Sequence, residues 1–324
     1  MASLPCPHDR SQFRIVIICA LELEARAVRP AFNEIYNVRE HPRLGKARGD
    51  PNSYTIGRMG LYYVVLAHMP EAGKASACSV ASNVTRSYSN IEMGFLVGIC
   101  GAVPFRTDSN ANCQNERISL GDVIIANGVI HHDLGRETDT GFFRKDTYHD
   151  TLGRPTTEIR TFLSKVRANI EYLVDPLHAH FRTIYQFVMT ANSGQQQSMT
   201  NYSGHAGQVP CDVVMGNSPE DPEQRPPYVH FGLMASADRV LKSARVRDKL
   251  AKDEDVIGFE MEAAGVWANI PVIVVKGVSD YADANKDDRM QRVAAVASAA
   301  CMRALVDECP ISTLSASSRN AEGR

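Results

Sequence analysis

The stretch Gly258-Phe-Glu-Met-Glu-Ala-Ala-Gly265 leads into Asn269-Ile-Pro-Val-Ile-Val-Val-Lys276 and then into Gly277-Val-Ser-Asp-Tyr-Ala-Asp283. Glu262 follows a short apolar run and opens an Ala-rich helix, whereas Asp280 comes just after a continuous β-branched run. A run of that kind is typical of a strand buried on both faces. Ligands of open α/β sheets bind beyond the carboxyl ends of the strands, so both carboxylates are predicted to reach one crevice.

Strand-like and helix-like segments alternate along the rest of the chain. The predicted strands are 13–21, 54–56, 61–68, 93–99, 121–130 and 228–235. The predicted helices are 22–34, 72–88, a pair over 157–191 that breaks near Pro176, 238–252 and 286–307. This alternation predicts an α/β fold of three layers, in which a twisted, mixed and mostly parallel sheet is flanked by helices.

The domain organisation follows from composition. We expect a flexible N-terminus over 1–12, a single domain over 13–310 and a disordered polar tail over 311–324. Residues 192–227 contain a Gln run with Gly, Ser and Pro, which predicts an insertion or mobile loop.

Charge and cysteine content exclude several classes of partner. The formal net charge is −2 and no Lys/Arg run occurs, so neither nucleic acid nor a membrane is an expected partner. No apolar stretch approaches the roughly 20 residues that span a bilayer, and the first residues lack a secretory pattern. The eight cysteines form no Cys-x-x-Cys pair, and Cys19, Cys78, Cys100 and Cys301 lie in apolar segments. We therefore expect buried, reduced thiols and a cytoplasmic protein.

Four segments in register resemble the superfamily of purine nucleoside phosphorylases and methylthioadenosine/S-adenosylhomocysteine nucleosidases. They are Ile17-Ile-Cys-Ala-Leu-Glu-Leu-Glu24, Val97-Gly-Ile-Cys-Gly-Ala-Val103, Leu120-Gly-Asp-Val-Ile-Ile-Ala126 and the unit from Met261-Glu-Ala to Ser279-Asp. The details look most like the fungal branch, whose members occur alone or fused to signalling and repeat domains. The resemblance extends from Phe13 to Leu305 apart from the insertion, and it implies a purine nucleosidase.

The resemblance also implies roles for individual residues. Glu24 is the expected general base, Asp280 the general acid that protonates the purine at N7, and Glu262 the acceptor of hydrogen bonds from the ribose 2′- and 3′-hydroxyls. Met261 is expected against the sugar face. The other expected substrate-binding residues are Gly98, Gly101, Glu260, Ser279, Phe259, Val240 and Leu241. No cofactor and no metal are expected, and the partner is a purine nucleoside together with further copies of the chain in a homodimer or higher homo-oligomer.

Water is the favoured nucleophile. Phosphorylases of the hexameric branch read Gly-Asp-Pro-x-Arg after the first strand, and Glu24 occupies the position of that phosphate-binding Arg. Their Gly-rich turn reads Arg-Val-Gly-Ser-Cys-Gly, whereas this chain reads Leu96-Val-Gly-Ile-Cys-Gly101. Ile99 cannot hydrogen-bond a water, which leaves its placement to Glu24, Glu22 and backbone amides. A phosphorylase that uses Arg58 or Arg86 as phosphate ligand is the alternative.

Several other interpretations stay open. Glu22, Glu24 and Glu262 also suit the first turn of a helix, and Asp280 suits an N-cap. The aromatic that stacks on the base in bacterial nucleosidases falls at Val240, so Phe231, Phe259 or the insertion would supply another wall. A module that senses nucleotides without catalysis is a further alternative.

Two charged segments receive non-catalytic interpretations. Residues His131-His132-Asp133 alternate between strand faces, so we expect a gate or dimer contact there instead of a metal site. Lys276 and Arg289 are interpreted as surface or interface charges, with contact to a phosphorylated 5′ end as an alternative for Arg289.

Overall fold

The structure, a computed structural model, describes residues 5–106, 116–147, 149–199, 225–284 and 288–310, with backbone alone for 191–199 and residue 288. The strands are β1 (Ile15–Cys19), β2 (Glu34–Tyr36), β3 (Ser53–Met59), β4 (Tyr62–His68), β5 (Met93–Ala102), β6 (Phe105–Arg106), β7 (Glu116–Arg117), β8 (Val123–His131), β9 (Gly135–Thr138), β10 (Gly141–Arg144), β11 (Val229–Ser236), β12 (Val256–Glu260) and β13 (Val272–Asp280). The helices are α1 (Glu22–Val28), α2 (Lys74–Ser87), α3 (Thr157–Ala168), α4 (Ile170–Met199), α5 (Ala244–Glu254), α6 (Ala263–Val266) and α7 (Asp288–Asp307).

Nine of the described strands form one mixed sheet in the order β12-β11-β8-β13-β5-β1-β4-β3-β2. Pairing is parallel from β4 through β1 and β5 to β13, and again from β8 through β11 to β12. It is antiparallel between β13 and β8 and along β4-β3-β2. The predicted α/β sheet is therefore confirmed, with its antiparallel part at one edge and at one internal junction.

The sheet also closes on itself, which the sequence does not predict. Strand β12 pairs antiparallel with β5, with Gly258 opposite Ala102 and Phe259 opposite Gly101. The strands β5, β13, β8, β11 and β12 consequently form a closed ring. This closure brings the chain that follows β12 next to the carboxyl ends of β5 and β13.

Successive side chains of the central strands point to opposite faces of the sheet and pack against a layer of helices on each face. Ile15 and Ile17 of β1 belong to the apolar cluster that includes α1, α3, α4 and α7. Val16 and Ile18 belong to the opposite cluster with α2 and α6. Every residue of β13 is buried, as its β-branched run predicts. At Gly277 an added Cβ would lie 1.9 Å from the Ala294 carbonyl oxygen, so α7 packs directly on the backbone of β13.

Helix boundaries differ from the predictions at three places. The helix predicted over 22–34, with a bend or end near Pro30, ends as an α-helix at Val28 and is followed by a 3-10 turn over Arg29–Ala31. The break in the 157–191 pair occurs at Asn169, whose N–H bonds the Lys165 and Val166 carbonyls, and Pro176 lies inside α4. The helix predicted from residue 238 begins only at Ala244, because Ser243 caps it by accepting a hydrogen bond from Val246 N. Residues 238–243 are thereby left in a loop.

The expected insertion and termini are only partly visible. Backbone of α4 is helical through Met199, into the segment predicted as a loop, whereas 200–224, 1–4 and the tail 311–324 lie outside the described residues. Residues 5–12 contact the domain, since Tyr63 Oη donates to the Pro5 carbonyl and Arg43 to the Pro7 carbonyl. Among the described residues, no helix is both long and apolar enough to cross a membrane.

Of the thiols predicted to be buried, Cys19, Cys100 and Cys301 are buried, but Cys78 is exposed on α2. The apolar residues near Cys78 face the sheet, and Cys78 lies on the other side of the helix. The described cysteines are all free thiols.

Candidate active site

A cavity of about 240 Å³ lies where the chain leaves β1, β5, β11, β12 and β13. It is lined by Leu21, Glu24, Ala72, Ile99, Cys100, Gly101, His132, Arg239, Val240, Leu241, Phe259, Glu260, Met261, Glu262, Ser279, Asp280, Ala282 and Gln291. This lining includes both expected catalytic residues and all the expected substrate-binding residues except Gly98, which contacts the Glu24 carboxylate.

Glu24 is fixed by main-chain donors. Its Oε2 accepts hydrogen bonds from Ala20 N at 2.9 Å and Leu21 N at 2.8 Å, and its Oε1 accepts one from Ile99 N at 2.9 Å. A Cβ at Gly98 would lie 2.2 Å from Oε1, so only glycine allows this approach to β5. Burial raises the pKa of Glu24, the Glu262 carboxylate raises it further, and Lys276 opposes the rise. The arrangement provides an oriented, buried carboxylate at the cavity wall.

Glu262 is paired with a buried lysine. The Lys276 ammonium lies 2.8 Å from Glu262 Oε2 and 3.5 Å from Glu260 Oε2, and its side chain is 1% exposed. Burial acts to lower the pKa of Lys276, but Glu262, Glu260 and Glu24 outweigh it, so this pKa lies above its ordinary value. Three carboxylates therefore surround one cation, which keeps the cluster negative when they are ionised.

Glu260 lines the cavity, yet its carboxylate is used by the protein itself. It accepts hydrogen bonds from Glu262 N at 2.9 Å and from Ala263 N at 2.9 and 3.1 Å. Burial raises the pKa of Glu260, while Lys276 opposes that rise. Through these hydrogen bonds, Glu260 stabilises the turn that carries Met261 and Glu262.

Asp280 lies at the end of β13, beside a bulge between Val278 and Asp280. Its Oδ1 accepts a hydrogen bond from Ala282 N at 2.9 Å, and its Oδ2 accepts one from Ser279 Oγ at 3.0 Å. A Cβ at Gly101 would lie 2.9 Å from Oδ1, so this glycine leaves room for the carboxylate. Asp280 is thus held at the cavity edge by its own turn and by β5.

The prediction that Lys276 is a surface or interface charge is wrong, since this residue is buried at the centre of the site. The available signal was a lysine within the otherwise uncharged run Val272–Ser279, because a buried lysine requires a charged partner. Arg289 is exposed at the start of α7.

Other expected contributors lie elsewhere. Glu22 is 87% exposed at its side chain and pairs with Arg26, so it does not help to place a water in the cavity. Phe231 packs under the Arg167 guanidinium and not on the cavity, whereas Phe259 lines it. Arg58 bonds the Gly60 carbonyl and Arg86 the Arg48 carbonyl, away from the cavity.

The segment His131-His132-Asp133 reaches the cavity through His132 alone. Asp133 accepts hydrogen bonds from Lys74 Nζ at 2.6 Å and Asp238 N at 2.8 Å. Within the described ranges, no group of three or more His, Cys, Asp or Glu side chains is arranged to hold a metal ion.

A family model described as the phosphorylase superfamily matches residues 14–307, nearly the whole described domain. The chain belongs to the phosphorylase superfamily. In this superfamily member, Glu24 from the first matching segment and Glu262 and Asp280 from the last one line the same cavity.

Known proteins similar to this superfamily member include a nucleotide-binding leucine-rich repeat (NLR)-like protein of Hyaloscypha variabilis, 29% identical over 91% of the chain and 29% of the relative. The ATP nucleosidase Cap17 of Escherichia coli is 21% identical over 88% of the chain and 49% of its own length. The chain thus spans less than half the length of either relative. Among solved structures, a methylthioadenosine/S-adenosylhomocysteine nucleosidase of Neisseria meningitidis shares the fold, with a TM-score of 0.55, 18% identity and coverage of 91% of this chain and 98% of that one.

Proposed function

We propose that this protein is a purine nucleoside N-ribosyl hydrolase, which cleaves the N-glycosidic bond with water to give a free purine base and ribose. The observation that carries the proposal is the convergence of Glu24, Glu262 and Asp280 on one cavity. The names of the nucleosidase relatives support the same reaction class. A protein that only senses nucleotides needs no general acid and general base in one pocket.

Glu24 is the general base. Three amide donors fix its carboxylate and leave one lone pair, on Oε1, to accept a proton, and burial raises the pKa of Glu24 above its ordinary value. As the water oxygen bonds to C1′ of the ribose, one of its protons passes to Glu24. The Ile99 side chain offers no hydrogen bond, so Glu24 itself orients the water.

Asp280 is the general acid. When the N-glycosidic bond breaks, its electron pair goes to the purine, which leaves poorly as an anion. A proton delivered by Asp280 to N7 neutralises that charge. Ser279 Oγ and Ala282 N hold the carboxyl group in one orientation, which favours transfer to a fixed atom.

Glu262 binds the ribose through its 2′- and 3′-hydroxyls. Lys276, 2.8 Å away, holds this carboxylate and neutralises part of its charge. The hydrogen bonds from the hydroxyls strengthen as positive charge develops on the sugar, so they stabilise the transition state more than the ground state.

Phosphate is disfavoured as the nucleophile. Glu24, Glu260 and Glu262 surround Lys276 beneath the cavity, and a phosphate dianion there would meet net negative charge. The alternative of a phosphorylase loses its two suggested ligands, because Arg58 and Arg86 bond main-chain carbonyls elsewhere.

We further propose that the protein acts in the cytoplasm, in purine nucleoside metabolism and salvage, as a homodimer or higher homo-oligomer. Buried free thiols are typical of a reducing compartment. Exposed Phe142 and Phe143 on the β9–β10 hairpin are suited to a subunit contact.

Product analysis tests the proposal. Adenosine, guanosine and inosine are incubated with the protein, with and without phosphate, and the base and sugar products are separated by chromatography. We expect free base and ribose at the same rate in both buffers, and loss of turnover in Glu24→Gln with purine binding retained. Phosphate-dependent rates with ribose 1-phosphate as product would overturn the hydrolase assignment.

A further inference from the structure

One polar wall of the cavity has no part in the proposed reaction. His132 is 3% exposed and lines the cavity, and its Nδ1 is buried without a hydrogen-bond partner. Buried polar groups in proteins are nearly always hydrogen-bonded, so an unpaired nitrogen on a residue that lines a cavity indicates a missing partner.

Arg239 lines the same wall and is free to bind a ligand. It forms no hydrogen bond or ion pair with any residue that the structure describes, and it is exposed. The two nearby acids are already occupied by Lys74: Asp133 accepts from its Nζ at 2.6 Å, and Asp238 accepts from its N at 2.7 Å. Arg239 itself makes no ion pair with either acid in the described ranges, so its guanidinium keeps its donors for a ligand.

This wall adjoins the ribose side of the cavity. His132 N donates to the Ser236 carbonyl, and Ser236 Oγ accepts from Ala264 N in α6, the helix that begins after Glu262. Asp280 is held instead by Ser279 and faces β5. We infer that a nucleoside with its base at Asp280 and its 2′- and 3′-hydroxyls at Glu262 has its 5′ carbon on the side of His132 and Arg239, which line the same cavity.

We propose that His132 and Arg239 bind an anionic 5′ substituent, so that the preferred substrates are purine nucleosides carrying 5′-phosphate groups. This inference rests on the proposed function. Arg239 supplies a cation with several donors, the arrangement that suits phosphate oxygens. Burial, followed by Arg239, lowers the pKa of His132 to about 4, so its imidazole is neutral at neutral pH and donates a single N–H.

The adjacent side chains define the competing outcome. Ala72 and Leu241 are apolar and also line the cavity, which suits an uncharged thioether at the 5′ position. A 5′-phosphate would therefore bind through the charge of Arg239, whereas a 5′-methylthio group would gain nothing from that charge.

The test compares adenosine, methylthioadenosine, AMP and ATP in phosphate-free buffer, with purine release as the readout. We expect kcat/KM for AMP or ATP to exceed that for adenosine at least tenfold. Arg239→Gln should lower the ratio of kcat/KM for AMP to that for adenosine by about 10- to 100-fold, the usual effect of losing a charged hydrogen bond. His132→Phe should lower the same ratio, and Arg245→Gln, an exposed arginine on α5, should leave it unchanged.

Preference for adenosine or methylthioadenosine, with a ratio that Arg239→Gln does not move, would overturn the assignment while leaving the hydrolase intact. Absence of purine release from every substrate would instead refute the proposed function. In that case calorimetric titration of the protein with AMP and adenosine decides the subsite: tighter AMP binding that Arg239→Gln abolishes supports it, and equal binding refutes it. Circular dichroism of each variant identifies folding defects.

Discussion

Replacing Lys276 by methionine removes the cation from the buried carboxylate cluster while preserving side-chain volume. The ammonium lies 2.8 Å from Glu262 and 3.5 Å from Glu260. At an effective dielectric constant of about 20, these separations correspond to roughly 6 and 5 kcal/mol of attraction. Desolvation offsets much of this, and breaking a buried pair typically costs about 3–5 kcal/mol. We expect a loss of unfolding free energy of that size, which is a large part of the stability of an ordinary domain.

The loss should depend on pH. Burial already raises the pKa of Glu260, and without Lys276 this pKa rises further in the folded state. A carboxyl group with a raised folded pKa contributes stability below its unfolded pKa of about 4.3 and loses it as pH increases through the folded value. The deficit of Lys276→Met relative to the unmodified protein should therefore grow between pH 5 and pH 8.

Urea unfolding followed by circular dichroism at pH 5, 6.5 and 8 measures both effects. Lys249→Met is the matched control, since Lys249 forms an exposed pair with Asp253 on α5 and its loss should change stability by about 0.5 kcal/mol or less. The double variant Lys276→Met/Glu262→Gln should recover part of the stability, because it removes one unpaired charge. A loss below about 1 kcal/mol that is the same at every pH would refute the reasoning.

Three further substitutions test the catalytic residues. Asp280→Asn should lower turnover of adenosine at least about 100-fold, measured as adenine release, with a smaller loss on nitrophenyl riboside; equal losses would contradict a general acid. Glu262→Gln should reduce kcat/KM for adenosine far more than for 2′-deoxyadenosine in the same assay, because the lost hydrogen bonds involve both hydroxyls; matching losses would exclude that role. Gly98→Ala places a Cβ 2.2 Å from Glu24 Oε1 and should displace the carboxylate. The kcat should fall about 100-fold, as for an ångström-scale misplacement, while the circular dichroism spectrum stays unchanged. Undiminished turnover would show that Glu24 needs no fixed position.

The sequence predicts those parts of the site that depend on the local pattern of apolar and charged residues along the chain. Glu262 and Asp280 flank a β-branched run, and Glu24 follows an apolar strand, so each is assigned to a strand end without knowledge of tertiary contacts. Parallel pairing of β1 and β13 with β5 brings Glu24 and Asp280 to one edge, whereas Glu262 reaches the same cavity through the antiparallel pairing of β12 with β5.

The parts that escape prediction depend on contacts between distant segments. Lys276 looks like any charged residue until Glu260 and Glu262 are found beside it. The sequences of β12 and β5 do not reveal the ring closure at Phe259 and Gly101. Parallel and antiparallel partners require the same alternation of side chains between the two faces of a sheet. The late start of α5 is set by Ser243. Side-chain capping there outweighs the helix propensity of residues 238–242.

The pairing of β12 with β5 has a consequence for the growing chain on the ribosome. Glu24 and the Gly-rich turn are synthesised early, but the strand that closes the ring and the turn that carries Glu262 emerge only after residue 256, and Asp280 follows. Contacts of such long sequence separation form late in folding. A nascent chain therefore lacks the turn that carries Glu262 and lacks Asp280, so the proposed mechanism predicts no turnover of nucleosides until β12 and β13 have been released and docked.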